Sequence, residues 1–121
     1  MIQTAITILR KDEAWRSKPY YCSEGYPTIG WGFKCGPKGA ALPNTVMSRP
    51  VGDQRLQATC ESLDEMLTSH KSIGKIYSGL SAPRKAVLIS MAYQLGLNGL
   101  LNFKKMWAAL ASENYAAAAN E

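Results

Sequence analysis

The 121-residue chain holds a single histidine, His70, and no pair of cysteines spaced as CxxC. Zinc sites and dithiol redox centres are built on such spacings, so neither a metal nor a cofactor is expected. The cysteines number three, at positions 22, 35 and 60. An odd, widely spaced set without a secretory leader points to free thiols, with a Cys22–Cys35 bridge left open. No apolar run reaches the ~18 residues of a membrane-spanning helix. The N-terminal stretch from Met1 to Leu9 lacks the basic region and small-residue cleavage site of a signal peptide. Synthesis in a cytoplasm is therefore the expectation, and a substrate outside the membrane would require some other route of release. Acidic residues are the minority, nine against 14 Lys and Arg, for a formal charge of +5. A basic balance suits polyanions or ordinary solubility alike. The cations form no run longer than two, whereas nucleic-acid binding favours a clustered stripe. Internal repeats are absent, and only Ala116 to Ala119 is low in complexity.

What is present fits one folded domain over residues 1–121, with an apolar fraction of 46%. Ile2, Ala5, Ile6, Leu9 and Glu13 recur at three- and four-residue steps, which predicts a helix over 2–14. Pro19 ends any continuation. Residues 20–33 read as strand, turn and strand, rich in Tyr, Ile, Trp and Gly. Residues 36–52 are crowded with Gly and Pro and predict a loop with room for a short third strand. A helix should follow from about 53, with Asp53 or a neighbour as N-cap and Leu56, Cys60, Leu63 and Leu67 on one face. Ile73, Ile76 and Tyr77 suit a short helix. Ser81-Ala82-Pro83 opens a strongly apolar one that should end near Gly96. Two more are expected, one carrying Leu100 to Leu110 and an Ala-rich one over 112–120. The sum is an α+β architecture, with a small β-hairpin lobe, a larger helical lobe and a cleft between them, a natural place for a glycan.

Glu13 stands where that first helix ends, beside the partial negative charge of the helix C-terminus. A partly buried carboxyl group there resists ionisation, as a general acid at neutral pH must. From position alone, an exposed Glu paired with Arg10 or Arg16 is the plainer alternative. In the run Glu24-Gly25-Tyr26-Pro27-Thr28-Ile29-Gly30-Trp31-Gly32, glycines between aromatics permit close backbone approach, and a tight hairpin alone would account for them. Trp15, Trp31 and Trp107 read as core residues, and His70 as solvated.

Together these residues resemble the N-terminal signature of the T-even phage lysozymes, glycoside hydrolase family 24. That pattern is Glu, eight residues, Asp or Cys, five residues, Thr; here it reads Glu13, Cys22 and Thr28. Leu9-Arg10-Lys11-Asp12 before it, and Gly25-Tyr26 and Ile29-Gly30-Trp31-Gly32 around Thr28, carry the likeness further. Residues 86–96, with Met91, Tyr93, Gln94 and Gly96, are similar to the family's central buried helix, and Asn98, Gly99 and Phe103 to the turn and helix after it. The likeness runs over most of residues 6–110 and is loosest at 34–75.

The resemblance implies a muramidase that cuts the N-acetylmuramic acid–N-acetylglucosamine bond of peptidoglycan. Glu13 would protonate the leaving oxygen, and Cys22 and Thr28 would position a water on the opposite face of the sugar. Tyr93 and Gln94 would contact the glycan, although Tyr93 is equally readable as a core aromatic. Cys22 departs from the Asp of the best-known members: a neutral thiol cannot stabilise developing positive charge as a carboxylate can, although a thiolate can act as base or nucleophile. Family members usually continue for some tens of residues beyond this chain's last position. Part of the Val87–Leu95 helix is accordingly expected to be exposed, as a place for a partner on an otherwise monomeric protein. The expected setting is host-cell lysis, with the wall reached from the cytoplasm through a holin-type pore. Two other readings stay open: a glycan-binding or assembly module with impaired catalysis, and a lytic transglycosylase.

Overall fold

A computed structural model describes residues 1–119. In chain order its elements are α1 (Ile2–Asp12), β1 (Arg16–Tyr21), β2 (Pro27–Gly30), β3 (Phe33–Lys34), α2 (Arg49–Thr68), α3 (Gly74–Ser78), α4 (Ala82–Leu101), α5 (Lys104–Ala111) and α6 (Tyr115–Ala119). This is the expected lysozyme-like α+β content. By contacts the chain divides into two compact units, residues 6–58 and residues 1–5 with 59–121. No single helix among the described residues is long and apolar enough to cross a membrane.

The unit of residues 6–58 is built around the sheet, ordered β1-β2-β3 with both pairings antiparallel. β2 is buried along its whole length, whereas β1 is an exposed edge strand. That edge explains Pro19, which lies inside β1: a residue without an N–H is tolerated where no partner strand needs one. The first strand therefore begins at Arg16, earlier than the breaker suggested. β1 and β2 are joined by residues 22–26, in which the Cys22–Tyr26 pair closes the three-residue turn Ser23-Glu24-Gly25. The Cys22 N–H bonds to the Tyr26 carbonyl at 3.0 Å and the Gly25 N–H to the Cys22 carbonyl at 2.9 Å. Gly25 sits at φ 86°, the left-handed position that such loops reserve for glycine. The third strand is Phe33–Lys34 rather than a segment of 36–52. Ile6, Leu9, Pro27, Ile29, Trp31, Phe33 and Leu56 are the large buried apolar residues of this unit.

α2 starts four residues ahead of the expected Asp53. Ser48 supplies the cap, its Oγ accepting the Val51 N–H at 3.4 Å, and Pro50 falls in the first turn, where its missing N–H costs nothing. Asp53 is thereby released for the contacts described below.

In the helical unit, Leu67, Tyr77, Ile89 and Leu100 are fully buried and Trp107 nearly so. The Tyr77 hydroxyl donates to Asp64, tying α3 to α2. His70 is partly exposed at the turn after α2, its Nδ1 accepting the N–H of Ser72 at 3.1 Å and of Ile73 at 3.4 Å. The first helical segment of α4 ends at Gly96 as expected, since φ 77° and ψ 162° lie outside the helical region, and a second segment runs on to Leu101. Consequently α5 starts at Lys104, later than the apolar pattern from Leu100 implied. Val87 and Leu95 are about half exposed, in line with expectation. α6 covers the Ala-rich segment as far as Ala119, and position 120 lies outside the described residues.

Candidate active site

Glu13 follows α1 directly, its N–H closing the last turn on the Leu9 carbonyl at 2.8 Å. The Ala5, Ile6 and Leu9 stripe buries one face of α1 and so fixes where its end projects. The Glu13 side chain is half-buried and lies on the backbone of Gly32, in the turn between β2 and β3. A methyl group on Gly32 would stand 2.7 Å from Oε2 and 2.8 Å from Cδ of Glu13. Only glycine admits that approach, and Gly32 also sits at φ 81°. Burial, reinforced by the charge of Asp12, lifts the Glu13 carboxyl above its ordinary value. The alternative pairings with arginine are not made: Arg10 bonds Asp53 at 3.0 Å, and Arg16 lies over the Tyr20 ring at 4.3 Å.

Cys22 occupies the first position after β1, and Thr28 lies inside β2 opposite Tyr20. Thr28 is almost fully buried and its hydroxyl donates to the Tyr26 carbonyl at 2.8 Å. The loop brings Cys22 beside it. The Cys22 thiol is held below its ordinary value by hydrogen bonding to the Tyr26 backbone, against a smaller opposing effect of desolvation. The backbone of Glu24 and Gly25 adds to the lowering. The hairpin tip is thus a small anion-stabilising nest around the sulfur. All three cysteines are free, and burial pushes Cys60 up to about 11.

Tyr20 links the two halves of this face. Its phenol is held neutral beyond its ordinary range by burial and then by the charge of Glu13, with Cys22 adding to the effect and Arg16 opposing it. Glu13, Tyr20, Cys22 and Thr28 therefore share one neighbourhood within a single unit. Tyr93, half-buried, and Gln94, exposed, lie on α4 shortly before the Gly96 bend, in the other unit.

A polar cluster supports this neighbourhood. Asp53 accepts the Trp31 indole N–H at 2.9 Å and pairs with Arg10 at 3.0 Å and Arg49 at 3.3 Å. Partial burial alone would raise the Asp53 carboxyl, but the Trp31 bond and the two arginines outweigh it and hold it low. Trp15 packs against Trp31 with ring centroids 5.3 Å apart, and Arg49 lies over both rings. Trp31 and Trp107 are buried, as expected of core residues. The sequence signalled Gly32 as a site of close approach without naming its neighbour. The Asp53 cluster had no local signal, since its members are far apart along the chain. Among the described residues, no group of three or more His, Cys, Asp or Glu could hold a metal ion.

Against known proteins, the phage lysozyme family model matches residues 10–121. The chain is 29% identical over 121 aligned positions to the pre-baseplate central spike protein Gp5 of Enterobacteria phage T4, covering 85% of this chain and 21% of that protein. It is 24% identical over 144 positions to the probable T4-type lysozyme 1 of Dictyostelium discoideum, covering 100% of this chain and 82% of that one. The chain thus spans about a fifth of the spike protein's length and most of the second relative's.

Proposed function

Since the chain belongs to the phage lysozyme family, we propose that it is a muramidase hydrolysing the β-1,4 bond between N-acetylmuramic acid and N-acetylglucosamine in peptidoglycan. The observation that carries this reading is a half-buried carboxyl with raised proton affinity, seated on Gly32 beside a hairpin presenting Cys22 and Thr28.

Glu13 gives its proton to the glycosidic oxygen as the bond to the anomeric carbon breaks, and positive charge develops on the sugar. Cys22, once ionised, faces that charge and takes a proton from the attacking water. The Thr28 hydroxyl is committed to the Tyr26 carbonyl, which leaves its lone pairs to hold that water. The elevated Glu13 and the lowered Cys22 move in opposite directions, which suits one group as acid and the other as base. Tyr93 and Gln94 are assigned as glycan contacts by the family resemblance. Host-cell lysis after release through a holin-type pore is the setting we favour.

The test is turbidity loss of permeabilised Gram-negative cells, with mass spectrometry of the products. Clearing with reducing-end products is expected, and Glu13→Gln should remove almost all of it. Products ending in 1,6-anhydro sugar would mean transglycosylation, and binding without clearing would mean a glycan-binding module. The likeness to a central spike protein supports a second setting, in which the same chemistry belongs to a component of an assembly. Sedimentation of the activity with particles, rather than in the free fraction, would favour that setting.

A further inference from the structure

The hairpin carries two cations that the mechanism does not use. Thr28 is opposite Tyr20 on one side and Lys34 on the other. Directly opposed residues in an antiparallel sheet project from the same face, so Tyr20, Thr28 and Lys34 form one row across it. Cys22 and Tyr26 form the next row, two residues on along β1 and two back along β2. Each tyrosine supports a cation. The Arg16 guanidinium lies 4.3 Å from the Tyr20 ring centroid and the Lys34 ammonium 4.0 Å from that of Tyr26.

Arg16 and Lys34 are both exposed, and neither forms an ion pair among the described residues. The unit holds four carboxylates, Asp12, Glu13, Glu24 and Asp53; Asp53 is engaged by Arg10 and Arg49, Glu13 lies on Gly32, and none of the four is within ion-pair distance of Arg16 or Lys34. Two positive charges without a direct ion pair among the described residues, each held against an aromatic ring, therefore flank the Cys22–Thr28 pair. Stacking on a ring limits the freedom of a long side chain, so less entropy is lost when it binds an anion.

We infer that Arg16 and Lys34 are specificity-determining residues that read the carboxylates of peptide-bearing muramyl units, selecting an anionic glycan over a neutral one such as chitin. The inference rests on the glycan-cleaving reading above, but its test does not require turnover.

Binding is measured by NMR chemical-shift titration with two probes, N-acetylmuramyl-L-alanyl-D-isoglutamine as the anionic one and tri-N-acetylchitotriose as the neutral one. At about threefold per exposed charge contact, Arg16→Gln with Lys34→Gln should weaken the muramyl peptide about tenfold and leave chitotriose within twofold. The Arg16→Lys, Lys34→Arg pair should restore the preference, and thermal melts of all variants should match wild type. Equal loss of both ligands, an unchanged muramyl peptide affinity, or no binding of it by wild type overturns the inference. A preference that survives in a chain unable to clear cells would instead sink the muramidase reading and leave the charge pair standing.

Discussion

Replacing Gly32 by alanine tests the placement of the acid directly. The added methyl would lie 2.8 Å from the Glu13 Cδ, whereas carbon atoms in contact stand roughly 3.5 Å or more apart. The carboxyl group, at the end of a flexible side chain, must therefore retreat by about 0.7 Å. A displacement near 1 Å costs on the order of a hundredfold in rate, so clearing of permeabilised cells should fall about ten- to a hundredfold. Alanine at φ 81° also carries a backbone penalty of roughly 1–2 kcal/mol, a few degrees in Tm. Gly39→Ala separates the two effects, because Gly39 has φ 79° and nothing within 4 Å of an added methyl. That variant should lose similar stability and keep its activity. Clearing by Gly32→Ala within twofold of wild type, or an equal loss in Gly39→Ala, would refute the argument that contact with Gly32 positions the acid.

The remaining expectations concern single groups. Because Glu13 is raised, its acid function is present at low pH and lost as pH climbs through its folded value, so the alkaline limb of the rate profile should lie above the ordinary carboxylate range. The same shift makes the ionised Glu13 a burden on the fold: its stabilising contribution is complete below the unfolded pKa and disappears as pH rises through the folded one. Glu13→Gln should therefore melt slightly above wild type at neutral pH, with the gap closing in acid. Iodoacetamide at mildly alkaline pH should label Cys22 and leave buried Cys60 untouched, as read by peptide mass spectrometry, with clearing lost in step. Cys22→Ser should resist the reagent and be milder in its loss than Glu13→Gln. Asp53→Asn should lower stability by about 1–2 kcal/mol in denaturant titrations at neutral pH. Since Asp53 is held low, that difference is present above the unfolded carboxylate pKa and vanishes as pH falls through the folded one.

Local pattern was enough to locate α1, the hairpin and the apolar helices, because the stripe through Ala5, Ile6 and Leu9 is set by burial of one face and the turn residues around Gly25 punctuate the strands. Periodicity placed Glu13 at a helix end, but Cys22 and Thr28 were singled out only by the resemblance to a family signature, not by any local pattern. What it could not supply depended on tertiary partners. Asp53 has the chemistry of an N-cap, and nothing nearby in sequence says that Trp31, Arg10 and Arg49 claim it instead. Gly96 reads as a stop and is one, but nothing in the local pattern announces the second short helical segment that follows it to Leu101. Arg16 and Lys34 look like ordinary surface charge until strand register sets them around Cys22 and Thr28.

The hairpin tip has one further implication. Much of what steadies negative charge at position 22 comes from peptide groups of Glu24, Gly25 and Tyr26, and main chain is not removed by point mutation. The loop is therefore indifferent to whether sulfur or oxygen carries that charge, and exchanges at positions 23 and 24 should be accepted freely so long as Gly25 keeps its bend. Drift in this segment would alter the atom at position 22 before it dismantled the cradle around it.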